Sequence, residues 1–179
     1  QDAIFTYPPH KLVRKQSPRL YHKKDRKHSD LVGISKGTAK LLLNEQSKRK
    51  SSGSILQLGR QTFYFSEQEF SKWAEKMNTE LAESDEKHPK DEIISDTLFF
   101  KLLGFNEVFS ADYSDYEDPD FIFDLNNPVA EEYHNRFDVI YDGGTMEHCF
   151  NTFQVLKNIH LLLKEGGRVI HASPSNNHV

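Results

Sequence analysis

Between Arg136 and Ser175 the chain passes through an order of patterns that few folds accommodate. A short apolar run, Phe137 to Tyr141, ends abruptly in Asp142-Gly143-Gly144. An amphipathic segment follows, closes on Gly166-Gly167, and gives way to a second apolar run, Arg168 to Ser173. Strand, polar loop, helix, glycine stop, strand is the grammar of a parallel α/β sheet. Such sheets bind ligands outside the carboxyl ends of their strands. That end carries Asp142, Glu147 and His148 here, polar chemistry beside two glycines.

The upstream sequence repeats the theme. Ser54 to Leu58 reads as a buried strand ending at Gly59. Ser66, with Glu69 three residues later, is a capping box opening a helix whose apolar stripe is Phe70, Trp73, Ala74, Met77 and Leu81. A second helix is expected over Ile93–Leu103, stopped by Gly104. Glu107–Asp112 and Asp120–Asp124 are the next strands, each closing on a carboxylate. Gly59, Asp112, Asp124 and Asp142-Gly143 therefore stand at successive strand ends, along one sheet edge. A glycine there lets the backbone approach a ligand closely. A carboxylate at the second strand end can accept both hydroxyls of a ribose. Each residue alone also has a plain reading, because Asp commonly caps turns.

Charge divides the chain. Residues 1–50 hold 13 Lys/Arg against 4 Asp/Glu, and residues 51–179 hold 10 against 23. This predicts a basic arm over 1–50, with a short helix at Thr38–Gln46, and an α/β domain over 51–179. Basic, proline-bearing arms can touch phosphate backbones, and Tyr7 and Tyr21 could stack on bases, so nucleic acid is one partner class. A solvated tail or substrate-covering segment is the preferred reading of the arm. The single Cys excludes a disulfide framework and multi-cysteine metal sites, which fits a reducing compartment. No apolar run reaches the roughly 20 residues of a membrane helix, and the first residues hold no secretory core, so the expected location is cytoplasmic.

The stretch Phe137-Asp138-Val139-Ile140 through Glu147-His148, then Val155 to His160 and Leu162 to Ile170, resembles the class I S-adenosylmethionine-dependent methyltransferases. It is similar to the fourth strand, following helix and fifth strand of that family, and the resemblance extends over roughly residues 53–175. It implies a Rossmann-like, mostly parallel sheet flanked by helices, S-adenosylmethionine as cofactor, and methyl transfer to a hydroxyl of a small molecule or glycan. By the same resemblance Gly59 would contact the methionine end, and Asp112 would hold the ribose, with Tyr113 counted among the cofactor-binding residues. Asp124 and Leu125 would flank the adenine, and Asp142 and Gly143 would line the pocket near the transferred methyl.

His148 is the candidate general base, because imidazole exchanges its proton near neutrality, and Glu147 would orient it or touch substrate. In the plainer reading, Glu147-His148 simply opens the next helix. His160 and His171 read as packing or surface residues, and no spacing suggests a metal site. Two departures from the family stand out. The loop Leu58-Gly59-Arg60-Gln61-Thr62-Phe63 has one glycine where the family has several, and Gln57 replaces its usual carboxylate. The family fold has seven strands, whereas this sequence stops after the fifth, so a further C-terminal portion is expected. The alternatives are an RNA methyltransferase using the arm and a non-catalytic, methyltransferase-like binding module.

Overall fold

The computed structural model describes residues 33–85 and 88–173. The arm residues Tyr7 and Tyr21, and any nucleic-acid contact they would make, lie outside the described residues. The architecture is α/β and Rossmann-like. Five parallel strands, β1 (Ser54–Leu58), β2 (Glu107–Asp112), β3 (Phe121–Ile122), β4 (Phe137–Asp142) and β5 (Leu163–His171), lie in the order β3-β2-β1-β4-β5. Helices α1 (Lys36–Lys48), α2 (Glu67–Lys76), α3 (Asp96–Leu102) and α4 (Thr152–Leu162) flank them.

β1 sits in the centre because every one of its residues can be buried, as a parallel strand covered on both faces requires. It pairs with β2 through Ile55↔Val108 and Leu56↔Phe109, and with β4 through Ile55↔Val139 and Leu56↔Ile140. Alternate side chains point to opposite faces. Ile55, Val139 and Tyr141 join α1, α2 and α3 in one core, while Leu56, Leu58 and Ile140 join α4 and Phe121, Phe123 and Tyr133 in the other. Aromatic rings supply much of the first core: Phe99 lies 4.7 Å from both Phe63 and Phe70, and Phe100 lies 5.6 Å from Tyr141. Such pairs contribute about 1 kcal/mol each beyond the area they bury.

The capping box forms as expected: Ser66 accepts from the Glu69 N–H, and the Glu69 side chain accepts from the Ser66 N–H. Four elements differ from the sequence expectation. Helix α1 is longer than Thr38–Gln46 because Ser35 caps it, and Ile34, Ala39, Leu42 and Leu43 of this basic stretch pack into the core. Helix α3 begins at Asp96 rather than Ile93, because the Ser95 hydroxyl accepts from the Leu98 N–H and fixes the start.

β3 is two residues long, not five, because its flanking carboxylates have other duties. Asp120 accepts from the N–H and hydroxyl of Ser110, and Asp124 accepts from Asn126 and Asn127. The fourth helix ends at Leu162 rather than running to Gly166-Gly167. Leu163 already pairs with Phe137, and an irregular segment follows before Arg168 pairs with Val139. Gly166 absorbs that irregularity with a φ of +73°, a left-handed conformation that side chains resist.

Candidate active site at the carboxyl edge

The carboxyl ends of β2, β3 and β4 enclose a cavity of about 260 Å³. Ala111, Phe123 and Leu125 give it apolar walls, and Asp112, Asp124 and His148 bring polar groups to it. The sheet reverses its order of addition between β1 and β4, so this edge borders the switch point where open α/β sheets take ligands.

Asp112 ends β2 half-buried, and one carboxylate oxygen accepts from the Ser114 N–H at 3.1 Å. Its other oxygen has no partner among the described residues. Tyr113 beside it is 74% exposed, a flap at the cavity rim. Asp124 works differently: Oδ1 accepts from the backbone and side chain of Asn126, and Oδ2 from Asn127 at 2.6 Å. It holds the turn that carries Leu125, and Leu125 is itself buried. A fully buried Asn158 on α4 reinforces that wall by donating to the carbonyls of Leu125 and Asn127.

His148 lies on a single helical turn, Met146–His148, and lines the cavity. Its side chain is 72% exposed and its Nε2 stands 3.6 Å from Glu147 Oε1, too far for a hydrogen bond that fixes the ring. Glu147 does not line the cavity.

Gly59, Asp142 and Gly143 are not brought into the lining. Gly59 ends β1 with a φ of +71°, and its N–H donates to the Ala111 carbonyl at 2.7 Å. A Cβ there would lie 3.0 Å from the Thr145 hydroxyl, so the glycine serves the joint between two strand ends. At Gly143 a Cβ would lie 2.5 Å from Gln61 Oε1 and 2.8 Å from Tyr141.

Asp142 is fully buried, which takes it off the cavity surface where it was expected. Its Oδ1 accepts from the N–H groups of Thr145 and Met146 at 2.8 and 3.2 Å. Its Oδ2 lies 2.9 Å from His171 Nδ1. His171, read from sequence as packing or surface, is thus the partner of a buried carboxylate. The only signal for it was register, since both residues end neighbouring strands.

Thr145, Asn126 and Cys149 line the cavity without having been singled out. Burial, then the charges of Asp142 and Asp124, push the Cys149 thiol up, so it remains protonated and unreactive at neutral pH.

Beside the single-glycine loop a buried carboxylate comes from α3. Asp96, the first residue of α3, has no exposure. Gln57 donates to its Oδ2 at 2.9 Å, and Arg60 pairs with it through Nε at 2.9 Å and Nη2 at 2.6 Å. Gln57 thus acts as a donor at the end of β1. The two-point geometry fixes Arg60 against α3. This loop offers no guanidinium free to meet an anion.

No protein-family profile matches the chain, and no curated protein matches it in sequence. Among solved structures, it is similar to the trans-methyltransferase CalH in complex with SAH, at 15% identity and a TM-score of 0.41. That alignment covers 74% of this chain and 35% of that chain, so the sequence spans about a third of the compared protein. Among the described residues no helix is long and apolar enough to cross a membrane, and no group of three or more His, Cys, Asp or Glu side chains could hold a metal.

Proposed function

We propose that the chain is an S-adenosylmethionine-dependent methyltransferase module acting on a hydroxyl of a small molecule or glycan. The observation that carries this reading is the cavity between Asp112 and Asp124, with Phe123 and Leu125 as apolar walls. A carboxylate with one unengaged oxygen at the end of β2 suits the hydroxyls of a ribose. The apolar walls suit the faces of a purine. No Lys or Arg lines the cavity, which disfavours nucleotides carrying phosphate and favours a nucleoside that is neutral or cationic. The motif resemblance from Phe137 to Ile170 supports the same class.

Asp112 and Tyr113 would hold the ribose, with Asp124 and Leu125 at the adenine. The cofactor supplies an electrophilic methyl group on sulfur. The residues of this chain bind it, exclude water, and receive the acceptor's proton. His148 is within the cavity wall and would meet the acceptor from the solvent side.

Isothermal titration with S-adenosylhomocysteine tests the reading, with ATP and NAD as controls. Binding of S-adenosylhomocysteine alone, weakened by Asp112→Ala, is expected. Preference for ATP or NAD would overturn the assignment. The single-glycine loop, pinned to α3 by the Arg60–Asp96 pair, favours a second reading, a module that binds without turnover. Methyl transfer to any acceptor in a substrate screen excludes that second reading.

A further inference from the structure

We infer that the Gln61 side-chain amide is a plug, seated between the ends of β1 and β4 where the primary ammonium of a ligand would displace it. Gln61 thereby governs whether a bound nucleoside can carry an amino-acid arm. The inference rests on the methyl-transfer reading above and deepens it, because S-adenosylmethionine has such an arm beyond its ribose.

β1 and β4 are neighbours at the point where the sheet reverses its order of addition, and Leu58 and Asp142 are register partners at their ends. The next residue on each strand is a glycine, Gly59 and Gly143. Open α/β sheets take ligands at this point, yet here the space is filled from within. Gln61 Nε2 donates to the Gly59 carbonyl at 3.2 Å, and Gln61 Oε1 lies 2.5 Å from where a Gly143 side chain would begin. One amide thus spans the two strand ends. A glycine at position 61 would leave that space open.

The plug adjoins the cavity. Thr145 lines the cavity, and its hydroxyl lies 3.0 Å from where a Gly59 side chain would begin. An arm leaving the cavity past Thr145 therefore meets Gly59 next, and then the Gln61 amide.

The chemistry of this seat is one-sided. Gln61 is 4% exposed, and its Oε1 has no hydrogen-bond partner among the described residues. Gln57 is 1% exposed and leaves its own Oε1 unpartnered in the same way. Gln57 is the register partner of Tyr141, and the Tyr141 ring edge meets the Gln61 amide over Gly143. Folded proteins rarely leave such buried acceptors unpaired. The loop's own cation, Arg60, is committed to Asp96. A primary ammonium brings three donors and a positive charge to this set, whereas a carboxylate only accepts. The Gln61 N–H on the Gly59 carbonyl is a neutral stand-in for it. Exchange favours the ligand, because a charged donor bonds more strongly than a neutral one, and the displaced Oε1 gains solvent.

Calorimetry on the full chain compares S-adenosylhomocysteine with 5′-methylthioadenosine, which shares its adenosine and thioether but lacks the arm. Gln61→Ala should tighten S-adenosylhomocysteine about fivefold or more, the worth of one neutral hydrogen bond no longer displaced. Methylthioadenosine should change less than about twofold. Equal changes for both ligands, or none for either, would overturn the plug. S-adenosylhomocysteine acetylated on its amine should gain nothing from Gln61→Ala, and an equal gain would overturn the ammonium assignment.

Nitrogen–proton NMR of glutamine-labelled protein reads the wild type directly. The Gln61 side-chain amide, assigned through its backbone resonances, should shift with S-adenosylhomocysteine and stay in place with methylthioadenosine. An amide that stays in place under saturating S-adenosylhomocysteine would sink the plug while leaving the methyl-transfer reading intact. Failure of both nucleosides to bind wild type and variant would instead remove both.

Discussion

Asn158 donates its side-chain N–H to the Leu125 carbonyl at 3.0 Å, joining the middle of α4 to the wall of the candidate site. The same side chain donates to the Asn127 carbonyl and accepts from the Val129 N–H, all without solvent exposure. One polar residue thus satisfies backbone groups of a loop that would otherwise be buried without partners.

Asn158→Ala leaves these groups unpaired, at about 1–3 kcal/mol for each that water cannot reach. A loss of about 3 kcal/mol in urea unfolding is expected, together with weaker ligand binding because Leu125 is released. A loss under about 1 kcal/mol would mean that the loop re-forms its bonds elsewhere.

Asp112 is the site residue with an oxygen to spare. Asp112→Ala should weaken S-adenosylhomocysteine binding about tenfold or more by calorimetry, since a hydrogen bond to a charged group contributes about 1.5–3 kcal/mol. Thermal stability should change little, because the carboxylate holds only the Ser114 N–H. Equal affinities for variant and wild type would place the ribose elsewhere.

The Arg60–Asp96 pair is buried and two-pronged, so removing one partner strands the other. Asp96→Leu alone should cost about 3–5 kcal/mol, whereas joint replacement by Arg60→Met and Asp96→Leu should recover most of that loss. Guanidinium unfolding of the two variants makes the comparison. No recovery in the double variant would show that Asp96 matters through Gln57 and Thr97 instead.

Asp138 supplies a pH dependence. Burial pushes its carboxyl up, but hydrogen bonds from Lys164 and from the N–H and hydroxyl of Ser54 outweigh that and hold it below the usual carboxylate range. A lowered folded value means that its stabilisation is complete above the unfolded value, about 3.9, and fades as pH falls through the folded value. The stability gap between wild type and Asp138→Asn should stay level from neutrality to about pH 5 and then narrow as the solution is acidified. A gap that widens in acid would contradict this linkage.

Much of the fold was legible because local signals agreed with the tertiary outcome. β1, β2 and β4 fall on apolar runs that end at glycine or aspartate, and the Ser66 capping box fixed α2. Charge misled about α1, since its lysines report the solvent face while Leu42 and Leu43 report the core. β3 was over-read because Asp120 and Asp124 bond nearby polar groups in preference to a ladder.

Within the site, Asp112, Tyr113, Asp124, Leu125 and His148 line one cavity, whereas Gly59, Asp142 and Gly143, also at strand ends, do not. The Asp142–His171 contact was hidden. The irregularity around Gly166 shifts the register of β5 against β4, and sequence alone does not fix a shifted register.

The central place of β1 has a cost during synthesis. Ser54 must find Asp138, 84 residues further along, before the strand has both its neighbours. At about 5–20 residues per second, an apolar strand leaving the ribosome waits on the order of 10 s before both of its flanks can be covered. Pairings this distant in sequence slow folding and leave the nascent chain open to aggregation. Yield in cells should therefore depend on chaperone supply and translation speed more than the stability of the finished fold would suggest.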